Sequence, residues 1–275
     1  MAIFAFMPNL NPADPDLFFS RQDPADPRLG EMCAPPNDDS SQISILGYPD
    51  DEGVQINGGR IGAKSGPAEI RRWLYRMTPH PKLILRSFRD VGDIPSAPLS
   101  LPERHDLAIR CGEGILQNGG RLLSFGGGND YAYCDGLAFL KVCEGSRRKP
   151  LIINVDAHLD VRDTSRGFSS GTPFYRLLES GLHFDFVEFG IQTHCNSSAH
   201  WDYVIKNGGK IITTDEIADS GLSLQDYSTR ALGDWLLHSR PAFLAIDIDA
   251  FAWPYAVGAS AAWPWASCRR ILCPH

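Results

Sequence analysis

Apolar residues along this chain fall into short continuous runs, separated by segments whose apolar positions recur every three or four residues. Runs at 43–46, 82–88, 121–125, 151–155, 184–190, 210–213 and 242–246 predict strands, and segments at 67–77, 103–117, 136–142, 172–179, 198–207 and 224–238 predict helices. The boundaries carry their own chemistry. Pro67 stands in a first helical turn with Ser65 upstream and Glu69 just after, and Asn118-Gly-Gly120 stops the helix over 103–117. Regular alternation of strand and helix implies an α/β fold: three layers, α/β/α, around a central parallel sheet. Runs without polar alternation, such as those at 121–125, 151–155 and 242–246, predict strands buried on both faces. The helix over 224–238, with Trp235, reads as core.

The two ends break the pattern. Residues 1–41 are rich in Pro, Asp and Asn, offer little periodic apolar surface, and predict an extended N-terminal arm ahead of a single domain over 42–275. Beyond Asp249 stand 26 residues that include Trp253, Trp263, Trp265, Cys268 and Cys273, without a helical or strand period and without any Asp or Glu. The domain therefore reads as shortened at its C-terminus, with elements missing that would cover a sheet edge at 242–246.

Three of the apolar runs end in polar clusters: 121–125 in Gly126-Gly-Gly-Asn129, 151–155 in Asp156-Ala-His-Leu-Asp160, and 242–246 in Asp247-Ile-Asp249. Ligands of parallel sheets gather outside the carboxyl ends of the strands, so the three clusters are expected to meet. Asp156, His158 and Asp160 are spaced by two, as are Asp247 and Asp249, which at a strand end places each set on one face. Four carboxylates this close repel severely without cations, since unit charges about 4 Å apart cost roughly 4 kcal/mol per pair at an effective dielectric near 20. Hard oxygen donors with one imidazole favour manganese, magnesium or iron over a thiolate zinc site. Two such ions can share a hydroxide and clamp a tetrahedral intermediate, which implies metal-assisted hydrolysis. Gly126-Gly-Gly-Asn129 has a plainer reading as a tight turn, and His183, His194 and His200 read as surface or polar-core residues.

These residues carry a resemblance. Gly127-Gly128-Asn129, Asp156 to Asp160, Ser170-Gly-Thr-Pro173 and Asp247 to Asp249, with Asp51-Glu-Gly53, Gly59-Arg-Ile-Gly62 and Gly66-Pro67, resemble the ureohydrolases: arginases, agmatinases and formimidoylglutamases. The resemblance covers roughly 43–260, and Ser169-Ser-Gly-Thr-Pro-Phe174 is most similar to formimidoylglutamases. It implies an arginase-like fold and two manganese ions, with Asp156 and Asp247 bridging, His158 and Asp249 completing one set and Asp160 the other. It implies hydrolysis of N-formimidoyl-L-glutamate to glutamate and formamide by a metal-activated hydroxide, with Asp160 orienting it and passing its proton to the leaving nitrogen. Arg162 and Ser170 are the implied substrate-binding residues, Arg162 as a bidentate partner of the substrate carboxylate, with an ion pair to Asp163 as its structural alternative. The family is oligomeric, so a homo-oligomer is implied.

Two departures bear on activity. Asn129 stands where the family has a histidine ligand, and an amide oxygen is a weaker donor, so one ion is expected to be held more loosely. The family's late acidic residue has no counterpart after Asp249. An impaired, non-catalytic subunit of an oligomer is therefore one alternative, and a single-ion zinc hydrolase on a similar sheet is another. A net charge of −7 and a pI near 5.6 exclude an electrostatic nucleic-acid or anionic-membrane binder. Seven cysteines without CxxC spacing suggest reduced thiols and a cytoplasmic location, residues 1–7 lack the features of a signal peptide, and no apolar run reaches membrane-spanning length.

Overall fold

The structure, a computed structural model, describes residues 10–80, 87–236 and 240–262. The chain divides into two compact units: one runs to Val142 and takes in 168–170, and the other comprises 143–167 and 171 onward.

The first unit is built on a three-stranded parallel sheet. Residues 10–41 contribute a 3-10 turn at Pro15–Leu17 and a short helix α1 (Leu29–Met32), and they touch the sheet through bridges Asn11↔Asp93 and Ala34↔Arg89. Leu17 is buried there beside Ile45, Tyr75 and Phe88. β1 (Ile43–Gly47) is central, with α2 (Glu52–Ile56) and α3 (Gly66–Leu74) following it. It pairs with β2 (Phe88–Asp93) on one side and β3 (Arg121–Phe125) on the other, all parallel. Between β2 and β3 runs α4 (Leu101–Gln117). Its start is fixed by a capping box between Ser100 and Glu103 with Pro102 in the first turn. Its buried stripe of Leu107, Ala108, Cys111 and Ile115 packs with Cys134 and Ala138 of α5 (Tyr131–Val142) into one cluster with Leu46 and Val91.

The second unit holds a four-stranded parallel sheet, β6-β5-β4-β7, formed by β4 (Leu151–Val155), β5 (Asp185–Ile191), β6 (Lys210–Thr213) and β7 (Ala242–Ile246). The intervening helices are α6 (Pro173–Leu178), α7 (Ser198–Lys206), α8 (Thr214–Asp219) and α9 (Leu224–Leu236). Leu151, Val187, Phe189 and Ile212 of the strands form the core with Ile217 and Leu232 of the helices, and Trp235 packs against it.

The α/β class and parallel pairing are as the sequence implies, and three details differ. The strand read at 82–88 is β2 at Phe88–Asp93, and residues 81–86 lie outside the described residues. Its charge hid it. Arg89 and Asp90 are buried, and Asp90 is held by Arg71 Nε at 2.7 Å and Nη2 at 2.9 Å and by the Tyr75 hydroxyl, while Asp93 accepts from Arg71 Nη1 at 2.6 Å. Second, among the described residues β3 and β7 are edge strands whose alternate side chains face solvent, with Leu123 43 %, Leu244 55 % and Ile246 56 % exposed, so neither is buried on both faces. Third, α2 lies where the pattern of apolar positions predicts neither strand nor helix.

Candidate metal centre

β4 and β7 are neighbours with Val155 opposite Ile246, so the segments that leave them, 156–160 and 247–249, emerge side by side. The ladder continues for one more bond, from Asp247 N to Val155 O (2.9 Å). Both segments then turn by the same device. Asp156 Oδ1 accepts from His158 N at 2.7 Å, and Asp247 Oδ1 accepts from Asp249 N at 2.9 Å. An aspartate that bonds its own backbone two residues on makes an Asx turn, so these turns, and not the strand pleat, gather side chains spaced by two. Asp160 follows in the left-handed region, φ +45°, a conformation aspartate tolerates better than most residues.

The result is five side chains in two overlapping triads. Potential ligand atoms of Asp156, His158 and Asp249 lie within 4.8 Å of one another, and so do those of Asp156, Asp160 and Asp247. Asp156 is common to both, whereas Asp247 joins only the set with Asp160. His158 Nδ1 is 3.0 Å from Asp249 Oδ2 and 3.6 Å from Asp156 Oδ1. Asp249 Oδ1 is buried and has no hydrogen-bond partner among the described residues, an acceptor suited to a cation. With four carboxylates and one imidazole, the donor set fits two hard divalent ions.

Proton affinities follow from this crowding. Burial, reinforced by the charges of Asp249, Asp160 and Asp247, holds Asp156 well above the usual carboxylate range, and burial with Asp249 and Asp160 does the same to Asp247. Burial alone would lower His158, but hydrogen bonds and charge from Asp156 and Asp249 push it up to about 12. Burial works against Asp249 too, yet His158 lowers it overall. Without cations the cluster thus keeps protons that ligands must give up. Manganese uptake is expected to release protons and to tighten as pH rises above the ordinary carboxylate range, checked by isothermal titration in buffers of different ionisation enthalpy. An affinity independent of pH above that range would contradict it.

The remaining candidates lie as follows. Arg162 is exposed, its backbone N donating to Gly171 O (2.9 Å), while Asp163 accepts from Ser165 N (2.9 Å). Ser170 and Asn129 belong to the first unit. Ser170 Oγ accepts from Asn57 Nδ2 at 3.0 Å. Asn129 lies in the turn that opens α5, its carbonyl accepting from Ala132 N at 2.9 Å. That turn needs glycine: a Cβ on Gly127 would stand 2.0 Å from Asp50 O.

Three residues around the centre went unread in the sequence. Asn196 clamps the 156–160 segment, accepting from Leu159 N (2.9 Å) and donating to Ala157 O (3.0 Å). Asn154 and Glu188 lie buried in β4 and β5, and Asn154 Nδ2 reaches Asp156 Oδ2 at 3.1 Å. Burial raises Glu188 well above its ordinary value. The last two left a signal, a polar residue in the middle of a largely apolar strand.

The profile of the arginase family matches residues 41–264. A formimidoylglutamase of Hahella chejuensis is 32 % identical over 241 residues, which make up 84 % of this chain and 71 % of that protein. Among solved structures, Trypanosoma cruzi formiminoglutamase with manganese superposes with a TM-score of 0.76 at 32 % identity, over 86 % of this chain and 80 % of that one. An asparagine-to-histidine variant of the same protein, also with manganese, gives 0.76 at 31 %, over 87 % and 80 %.

Proposed function

The chain belongs to the arginase family, and on that premise we infer that it is a manganese-dependent hydrolase of linear amidines that converts N-formimidoyl-L-glutamate to glutamate and formamide. The observation that carries this reading is the pair of triads sharing Asp156. Manganese bound there supplies Lewis acidity that lowers the pKa of water towards neutrality. Asp156, His158, Asp160, Asp247 and Asp249 are the chain's ligands in this proposal.

The chemistry then divides among the side chains. Water oxygen bonds to the amidine carbon, the bond from that carbon to the glutamate nitrogen breaks, and the nitrogen leaves with a proton. Asp160 holds the attacking water and carries its proton to the leaving nitrogen. Arg162 holds a substrate carboxylate through paired N–H bonds. Residues 42–275 act as a single catalytic domain behind the N-terminal arm. Among the described residues no helix is long and apolar enough to cross a membrane. Reduced thiols at Cys33, Cys111, Cys143 and Cys195 support a cytoplasmic site of action. Exposed Leu244, Ile246 and Ile248 support burial against further copies in a homo-oligomer.

The test is turnover of the manganese-loaded chain on N-formimidoyl-L-glutamate and on agmatine, which lacks the carboxylates, with Arg162→Ala alongside. Glutamate and formamide should appear from the first substrate. Arg162→Ala should lower kcat/KM on it by about 30-fold or more, mostly through KM, and leave any slow agmatine turnover unchanged. Equal loss on both substrates would sink the role given to Arg162, and no turnover of either would sink the reading.

A further inference from the structure

Asn154 and Glu188 are partners in the parallel register of β4 and β5, so their side chains leave the same face of the sheet. Both are wholly buried. Asn154 Nδ2 stands 2.9 Å from Glu188 Oε2 and 3.1 Å from Asp156 Oδ2, so both amide hydrogens are directed to carboxylates and the carboxamide has one orientation. The opposite atoms, Asn154 Oδ1 and Glu188 Oε1, are buried and have no hydrogen-bond partner among the described residues. An apolar pair would fill this register position without burying unsatisfied oxygens, so the polar pair needs a reason beyond packing. At the end of the chain of contacts stands Asp156, the residue common to both triads.

We propose that Glu188 is a positioning residue of the metal centre, fixing through the Asn154 carboxamide the plane in which Asp156 presents its two oxygens to cations. Asp156 is gripped at both oxygens, Oδ1 by His158 N at 2.7 Å and Oδ2 by Asn154 Nδ2, which leaves each oxygen a lone pair facing the cluster. Glu188 decides which face of the amide Asp156 meets. Turned over, Asn154 would set its carbonyl oxygen against the carboxylate. The inference rests on the manganese reading above and adds a residue that touches no ion itself.

The experiment compares the full-length wild type with Glu188→Met, Glu188→Gln, Asn154→Ala and the double variant Asn154→Ala/Glu188→Met. Bound manganese is counted by the loss of the free-ion electron paramagnetic resonance signal, with thermal unfolding and steady-state kinetics in parallel. Glu188→Met should weaken manganese binding about 10- to 100-fold and lower kcat more than it raises KM. Glu188→Gln still offers Asn154 an acceptor and should stay within about threefold of wild type. Asn154→Ala should weaken binding as well, and adding Glu188→Met to it should change nothing further. Glu188→Ser, short enough to admit solvent, replaces Glu188→Met if that variant does not fold. Unchanged manganese affinity with a lowered melting point would make Glu188 merely structural, and multiplied losses in the double variant would show that it does not act through Asn154. Either result overturns the proposal. A wild type that takes up no manganese overturns the functional reading as well.

Discussion

Replacing Asp156 by asparagine is expected to abolish manganese uptake at both positions while making the metal-free protein more stable. The first effect follows from geometry, because Asp156 is the only residue in both triads. An ion held by its remaining ligands would lose the carboxylate that links the two sets, and turnover should fall by at least about 10³-fold, the several kcal/mol that metal ions contribute to such a transition state. The second effect follows from burial. Asp156 is fully buried among carboxylates, and its carboxyl is held well above the ordinary range by burial first and then by Asp249, Asp160 and Asp247. In the unfolded chain that carboxyl ionises near pH 4, whereas the folded chain keeps its proton to a higher pH. As pH rises through that window the metal-free fold loses stability, and asparagine has no proton to lose. The hydrogen bond from His158 N to the side-chain oxygen survives the exchange, while the bond from Asn154 Nδ2 is lost and offsets part of the gain. A gain of about 1 kcal/mol would lift the melting midpoint by about 2–4 °C at neutral pH, and the gain should vanish below about pH 4. Calorimetry of the metal-free proteins against pH, beside a manganese count, reads both effects. Retention of one tight ion, or a lower midpoint at neutral pH, would contradict this account.

That opposition between function and stability explains which parts of the centre were legible in the sequence. Asp156, His158, Asp160, Asp247 and Asp249 could be picked out because four acids and a histidine at the ends of two apolar runs have no comfortable place in a fold without cations. The chain supplied their spacing, but the reason that spacing works was different. Local Asx turns at Asp156 and Asp247 gather the side chains, and turn geometry is not visible in an alternation of apolar and polar positions. Asn154, Glu188 and Asn196 stayed hidden because their importance lies in contacts made across strands or from a distant loop, which depend on register. β2 was misplaced for a related reason. Its Arg89 and Asp90 look like loop residues until Arg71, from α3, is seen to neutralise Asp90 inside the first unit. In β3 and β7 the error ran the other way. Their apolar runs read as strands buried on both faces, yet among the described residues each pairs on one side only, and Leu123, Leu244 and Ile246 face solvent.

Asp160 separates the demands of the backbone from those of the chemistry, and two substitutions should divide them. At φ +45° the residue occupies left-handed backbone that asparagine adopts almost as readily as aspartate, while alanine pays roughly 1–2 kcal/mol for it. Its carbonyl also receives Phe174 N at 3.2 Å at the start of α6, so a shift there would loosen the entry to that helix. Asp160→Asn should therefore fold with a melting point near that of wild type. It should still bind one manganese ion tightly, because Asp156, His158 and Asp249 remain intact. The second ion should weaken, and kcat should fall by about 10²- to 10⁴-fold, the range for losing a positioned proton carrier. Asp160→Ala should lose as much activity and, in addition, show a melting point lowered by a few degrees. The pair of variants is decisive because the two losses have different origins: if Asp160→Asn kept two ions and a kcat within about threefold of wild type, the carboxylate would be neither ligand nor proton carrier, and the residue would serve only the turn.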